Sequence, residues 1–208
     1  MARRMDSISA EFMGWPYVAN PLIGSAESPE VFTAATIGFD CVTYVETVLA
    51  RAVSTREHEF EDALRRIRYA GGKISWKQRN HYMTQWIRNN TRSGCLRGVT
   101  GLTASVHKER ILDVVPGLPA RRTKFDCIPK QELLKHSDLL KTGDLAFFVS
   151  TRRHLDVFHC GILVNSSNEL RMRHASKSRG RVIEQSLAEF LKQNRMAGVI
   201  VARPAVAE

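Results

Sequence analysis

With 208 residues, 43% of them hydrophobic, the chain is long enough to bury one sizeable core and offers no linker or repeat that divides it into modules. Its 31 Lys+Arg against 21 Asp+Glu give a formal charge of +10, but no aromatic residues interleave with the basic clusters, so nucleic acid is not an expected partner. No apolar run is long enough to span a bilayer, the four cysteines lack the C-x-x-C spacing of a disulfide or zinc framework, and the seven histidines show no recognised ligand pair, so neither metal nor cofactor is expected.

From Met1 to Asp6 the chain is polar and basic, with no apolar stretch behind it. As written it is expected in the cytoplasm, or in the periplasm or outside the cell if it is a trimmed form. Gly14 to Pro21 reads as loop or extended chain, because Pro16 and Pro21 bias their neighbours away from helix. A helix is predicted from Asp40, a good N-cap, since Val42, Val45, Leu49 and Ala52 form an apolar stripe; Cys41 then stands in its first turn. A second helix is predicted over Glu57 to Arg68, ended by Gly71-Gly72. Trp76 to Arg122, with Arg79, His81, Tyr82 and Trp86, lacks clean periodicity and reads as short helices and loops walling a cleft.

The last third changes in kind. Asp144 to Ser150, Asp156 to Val164, Leu170 to Ala175, Arg181 to Glu184 and Gly198 to Arg203 are short β-rich runs between turn residues, with one helix over Leu187 to Gln193. The expected class is α+β, helix-rich over 1–140 and strand-rich over 141–208, in one domain. The alternation of a strand puts His159, Gly161 and Leu163 on one face and Cys160 on the other; in the next strand Leu170, Met172 and His174 share a face. Two histidines can therefore meet, and they are expected below the helix that carries Cys41.

A cysteine is a weak nucleophile until it ionises, and a helix N-terminus together with a histidine supplies the help. The backbone N–H of Cys41, at the helix start, suits an oxyanion hole. On periodicity alone a cysteine is more often a small packing residue, and Cys95, Cys127 and Cys160 keep that reading.

Gly38-Phe39-Asp40-Cys41-Val42-Thr43-Tyr44-Val45-Glu46, Arg68-Tyr69, Arg79-x-His81-Tyr82, Trp86, Gly143-Asp144, Leu155-Asp156-Val157-x-His159-x-Gly161-Ile162, Arg173-His174-Ala175-Ser176 and Gly198-x-x-x-x-Arg203-Pro204 resemble, in this order, the N-acetylmuramoyl-L-alanine amidase-like family of the NlpC-type cysteine hydrolases. The resemblance runs from Trp15 to Pro204 and departs from the usual pattern after the base histidine, where Cys160 replaces a valine. It implies a papain-like fold, a helix with the nucleophile packed on a small antiparallel sheet. It also implies Cys41 as nucleophile, His159 as base, His174 as the group that orients it, and Tyr17 as an oxyanion contributor. Asp40, Arg79, Tyr82 and Trp86 are the other expected oxyanion or substrate-binding residues. The implied substrate is a muramyl peptide or another amide, cut between N-acetylmuramic acid and L-alanine. The alternatives are a stem-peptide endopeptidase acting between D-glutamate and a diamino acid, a thioester-forming transferase, and a non-catalytic basic binding protein.

Overall fold

The computed structural model describes residues 1–166 and 169–205, apart from the side chain of Leu102. In chain order its elements are helices α1 (Ala2–Glu11), α2 (Cys41–Val53), α3 (Phe60–Arg68) and α4 (Met83–Arg92), strands β1 (Leu96–Gly98), β2 (Val106–Leu112) and β3 (Arg121–Cys127), helix α5 (Lys130–Lys135), strands β4 (Leu145–Val149), β5 (Val157–Ser166), β6 (Glu169–Ser176) and β7 (Arg181–Ser186), helix α6 (Leu187–Gln193) and strand β8 (Gly198–Pro204). The class is α+β. Six strands form one antiparallel sheet in the order β1-β8-β4-β5-β6-β7, and β2 pairs only with β3 as a separate ribbon.

Both faces of this sheet are covered, which is why all five residues of the central strand β4 are buried. On one face Leu145, Phe147, Val149, Cys160, Ile162 and Ala175 meet the apolar stripes of the first four helices, among them Val45, Val48 and Leu49 of α2 and Trp86 of α4. On the other, Ala146, Phe148, Leu163 and Met172 meet Leu133 of α5 and Leu187, Phe190 and Leu191 of α6.

Three expectations need correction. The polar start is helix α1, whose Met5 and Ser9, with Phe12 just past its end, are buried at helical spacing; the Tyr44 hydroxyl donates to the Ser9 carbonyl at 3.1 Å. Arg4 caps the far end of α2 by donating to the carbonyls of Arg51, Ala52 and Ser54. The stretch read as helices and loops also holds β1 and the β2–β3 ribbon, so strands are not confined to the last third. In β2 the inward positions belong to Val106, Lys108, Arg110 and Leu112, and long aliphatic stems replace the apolar residues that alternation looks for. The predicted helix from Glu57 starts as a single 3-10 turn, Glu57–Glu59, before α3 begins.

Candidate active site

Asp40 and Thr43 form a reciprocal cap that fixes the first turn of α2. The Thr43 N–H donates to Asp40 Oδ1 at 2.8 Å, the Asp40 N–H donates to Thr43 Oγ1 at 3.0 Å, and the Thr43 hydroxyl returns a 2.7 Å bond to Asp40 Oδ1. Cys41 follows as the first residue of the helix and is partly exposed. Its N–H is one of those that a helix start leaves without an intrahelical partner.

The run before α2 is held from two sides. The N–H groups of Phe39 and Val18 donate to the carbonyls of Pro16 and Phe39 at 3.0 and 2.9 Å, and that of Tyr17 donates to Gly180 at 2.8 Å at the edge of β7. Gly38 permits this approach: a Cβ there would lie 2.6 Å from Val18 Cγ2 and closer still to the Pro16 carbonyl. Tyr17 is thereby set beside the helix start. Burial raises its pKa, and the charges of Cys41 and Asp40 raise it further, so the hydroxyl keeps its proton.

The base side of the site depends on where the sheet stops. The β5–β6 ladder runs from Ser166 opposite Glu169 to Ile162 opposite Arg173 and goes no further toward His159, while β6 continues along β7 to Ser176 opposite Arg181. The ladder therefore ends beside Gly161, although the strands stay close there, since a Cβ on Gly161 would lie 3.0 Å from the Arg173 carbonyl. On the other edge, β4 pairs Phe147 with Cys160 and Phe148 with His159, and a bulge then carries Val149 across to Val157. Asp156, just before the bulge, anchors it to α4 by accepting from the Thr84 N–H and hydroxyl, both at 2.7 Å.

Cys41 meets β5 at Cys160, past the end of the β5–β6 ladder. His159 and Cys160 face opposite sides of the strand, and Cys41 Sγ is within hydrogen-bonding reach of both. The Cys160 thiol also donates to the Cys41 carbonyl at 3.2 Å. The Cys41 pKa is held well below the ordinary thiol range by the hydrogen bond from Cys160. Burial opposes this, and the hydrogen bond and charge of His159 add to it.

The expected meeting of the two histidines is present, with His159 Nε2 2.7 Å from His174 Nδ1. Their location is different from the expectation. They lie on the face covered by α6, with both rings against Phe190 and His159 stacked on Phe148, whereas the helix bearing Cys41 covers the opposite face. Cys160 also needs a new reading: it does point away from His159, but that direction is toward α2 and Cys41.

Four other expected site residues have internal roles. The Asp40 carboxylate is engaged in the helix cap, and burial lifts its pKa to about 6. Arg79 is forked onto the buried Glu30, with Nε–Oε1 at 2.8 Å, and lies over the Trp76 ring. The Tyr82 hydroxyl accepts from the N–H groups of Val114 and Val115 at 3.0 and 3.2 Å. Trp86 is buried in the core, and its Nε1–H donates to Glu46 Oε1 at 3.1 Å. The polar groups of Arg79, Tyr82 and Trp86 are thus engaged within the protein, and the Asp40 carboxylate, next to Cys41, is engaged in the cap. Trp76 instead lines a separate concavity of about 570 Å³ between residues 25–30 and 74–77.

The arrangement unites an acidified thiol, an imidazole within reach of it, and a second imidazole that is neutral. Burial and then the charge of His159 hold the His174 pKa down at about 3. Gln185 Oε1 lies 3.4 Å from His174 Nε2. With that nitrogen carrying the proton, His174 Nδ1 accepts from His159 Nε2–H, and His159 Nδ1 is the free base. Gln185 had no signal in the sequence, and lies one residue past the strand expected over Arg181 to Glu184.

Among curated proteins, none matches the chain. Solved structures do. An N-acetylmuramoyl-L-alanine amidase from Bacteroides uniformis superposes with a TM-score of 0.87 at 28% identity over 98% of both chains. A Bacteroides fragilis protein described as a candidate xylanase gives 0.84 at 27% identity, over 95% of this chain and 99% of its own. A Legionella pneumophila protein at 22% identity gives 0.86 over 98% of this chain and 89% of its own, which is a likeness of fold alone. Residues 7–199 match the model of the AmiA-like family, described as N-acetylmuramoyl-L-alanine amidase-like, and the chain belongs to that family.

Proposed function

We propose that this amidase-like protein is a cysteine hydrolase of the NlpC type that cuts the amide between N-acetylmuramic acid and L-alanine in muramyl peptides. The observation that carries the reading is Cys41 in the first turn of α2, within hydrogen-bonding reach of His159, whose Nε2 lies 2.7 Å from a neutral histidine. The choice of bond follows the family description and the name of the Bacteroides uniformis neighbour.

His159 Nδ1 takes the Cys41 proton, and the thiolate attacks the amide carbonyl. The developing oxyanion is met by the Cys41 N–H and the protonated Tyr17 hydroxyl. His159 then returns the proton to the leaving L-alanine nitrogen, a thioester remains, and water activated by His159 releases the lactyl acid and restores the thiol. His174 keeps His159 in the required tautomer, the part that a carboxylate plays in serine triads. Glycoside cleavage by paired carboxylates is a poorer fit, because Asp40, the acid beside Cys41, is engaged in the helix cap.

Incubation with muramyl tripeptide, followed by mass spectrometry, is expected to yield N-acetylmuramic acid and the intact tripeptide, and Cys41→Ala is expected to yield neither. Wild-type rates in that variant would refute the cysteine mechanism. Products cut after the second amino acid would reassign the bond to the stem peptide.

A further inference from the structure

Cys160 is 1% exposed and lies on the α2 face of β5. It offers Cys41 two donors. Its thiol donates to the Cys41 carbonyl at 3.2 Å, and the Cys41 sulfur is within hydrogen-bonding reach of the Cys160 thiol and backbone N–H, which hold its pKa down. The Cys41 carbonyl and sulfur thus both lie within reach of one S–H rotor.

We propose that Cys160 is a further catalytic residue, a thiol that never attacks but turns its S–H from the Cys41 carbonyl to Cys41 Sγ as the thiolate forms. The assignment rests on Cys41 being the nucleophile. The proton leaving Cys41 goes to His159, and Cys160 keeps its own throughout. When the thioester forms, the sulfur loses its charge and the S–H turns back to the carbonyl, so no proton is gained or lost. The hydrogen bond to Cys41, and then burial, raise the Cys160 pKa well above the ordinary thiol range, consistent with a permanent donor. The other titratable groups around the pair are Asp40 at the cap of α2 and Glu46 of α2, whose charge reaches Cys160, Tyr17 from the preceding loop, and His159 of β5 with His174 of β6 behind it.

A donor to a thiolate has a two-sided effect. Lowering the pKa by about one unit gives about tenfold more thiolate at acid pH, but each thiolate becomes about threefold less reactive, because nucleophilicity falls with basicity. Removing the donor therefore changes the rate in opposite directions on the two limbs of the pH profile.

The test is the rate at which iodoacetamide alkylates Cys41, read by peptide mass spectrometry across the pH range that brackets a thiol pKa. Cys160→Val is expected to raise the midpoint by about one unit, with alkylation about threefold slower on the acid limb and about threefold faster on the alkaline plateau. Cys160→Ser keeps a donor and is expected to follow the wild type. If the valine variant fails to fold, Cys160→Ala removes the same donor and is read in the same way. An unchanged midpoint, or a loss that is uniform in pH, overturns the proposal. A wild-type Cys41 without a depressed midpoint would overturn this proposal and the proposed mechanism together, whereas a depressed wild-type midpoint left unmoved by Cys160→Val overturns this one alone.

Discussion

His174 is nine-tenths or more buried, and its folded pKa of about 3 lies below the ordinary histidine value of 6.5. The unfolded chain therefore binds a proton that the folded chain refuses. Stability from this site is fully present above pH 6.5 and is lost as pH falls toward 3. Asp40 works in the opposite direction, because its pKa is raised from 3.8 to about 6 and its neutral form is favoured in the fold. Comparing the wild type with His174→Leu isolates the histidine. By urea unfolding at about pH 7 and about pH 4, the wild type is expected to lose about 3 kcal/mol more than the variant. Equal losses would show that His174 does not titrate as its surroundings require. The meeting of His159 with His174 was legible from strand parity, whereas the choice of Cys41 came from the family resemblance. Cys160 and Gln185 were not legible, because alternation says which face a side chain takes and nothing of what stands over that face.

At the level of elements, the bounds of α2 and α6 were readable because each begins at a side chain that caps it, Asp40 and Ser186, and carries an unbroken apolar stripe. The ribbon β2–β3 was not readable, since Lys108 and Arg110 take inward positions, and Arg110 uses its Nη2 to donate to the Ser150 carbonyl at 3.0 Å. The register of β5 was readable, but the end of its ladder with β6 was not: it depends on pairing partners, not on the strand's own residues. Gly161 belongs to this geometry, because a Cβ there would lie 2.8 Å from Met172 Cγ and Sδ, so the glycine makes room for the neighbouring strand. Gly38 makes room for the segment bearing Tyr17. Gly38→Ala is expected to push that segment away from Phe39 and lower kcat on muramyl tripeptide by about tenfold or more, with a melting point only a few degrees lower. A normal kcat together with the lowered melting point would remove Tyr17 from the mechanism.

Across the whole molecule, buried ionic and polar links join the helical layer. Arg68 and Glu46 are 1% and 2% exposed and meet at 2.7 Å; Arg68 also donates to the Thr33 carbonyl, and Glu46 accepts from Trp86. Removing one partner leaves a buried charge without its counterpart. Glu46→Leu is expected to cost about 3–5 kcal/mol by urea unfolding, and adding Arg68→Met to recover a large part of it. Simple addition of the two losses would show that the pair is not coupled. The overall class was legible from the change of pattern near residue 140. The strand order was not, since nothing local marks the last strand as a neighbour of β4.

That order bears on synthesis. Because β8 lies between β1 and β4, the sheet has a vacant interior position until residues 198–204 have been made. The earliest helix waits as well: Arg173 of β6 donates to Asp6 and Ser9 of α1 across a sequence separation of about 165 residues. At a ribosomal rate of about 5–20 residues per second, α1 is outside the tunnel for roughly ten seconds or more before Arg173, its partner on β6, exists, although its partners on α2 are made early. Met5, buried in the finished protein against the later-made Gly143, lacks that cover during the interval, so a nascent chain stalled before β8 is a natural client for a chaperone.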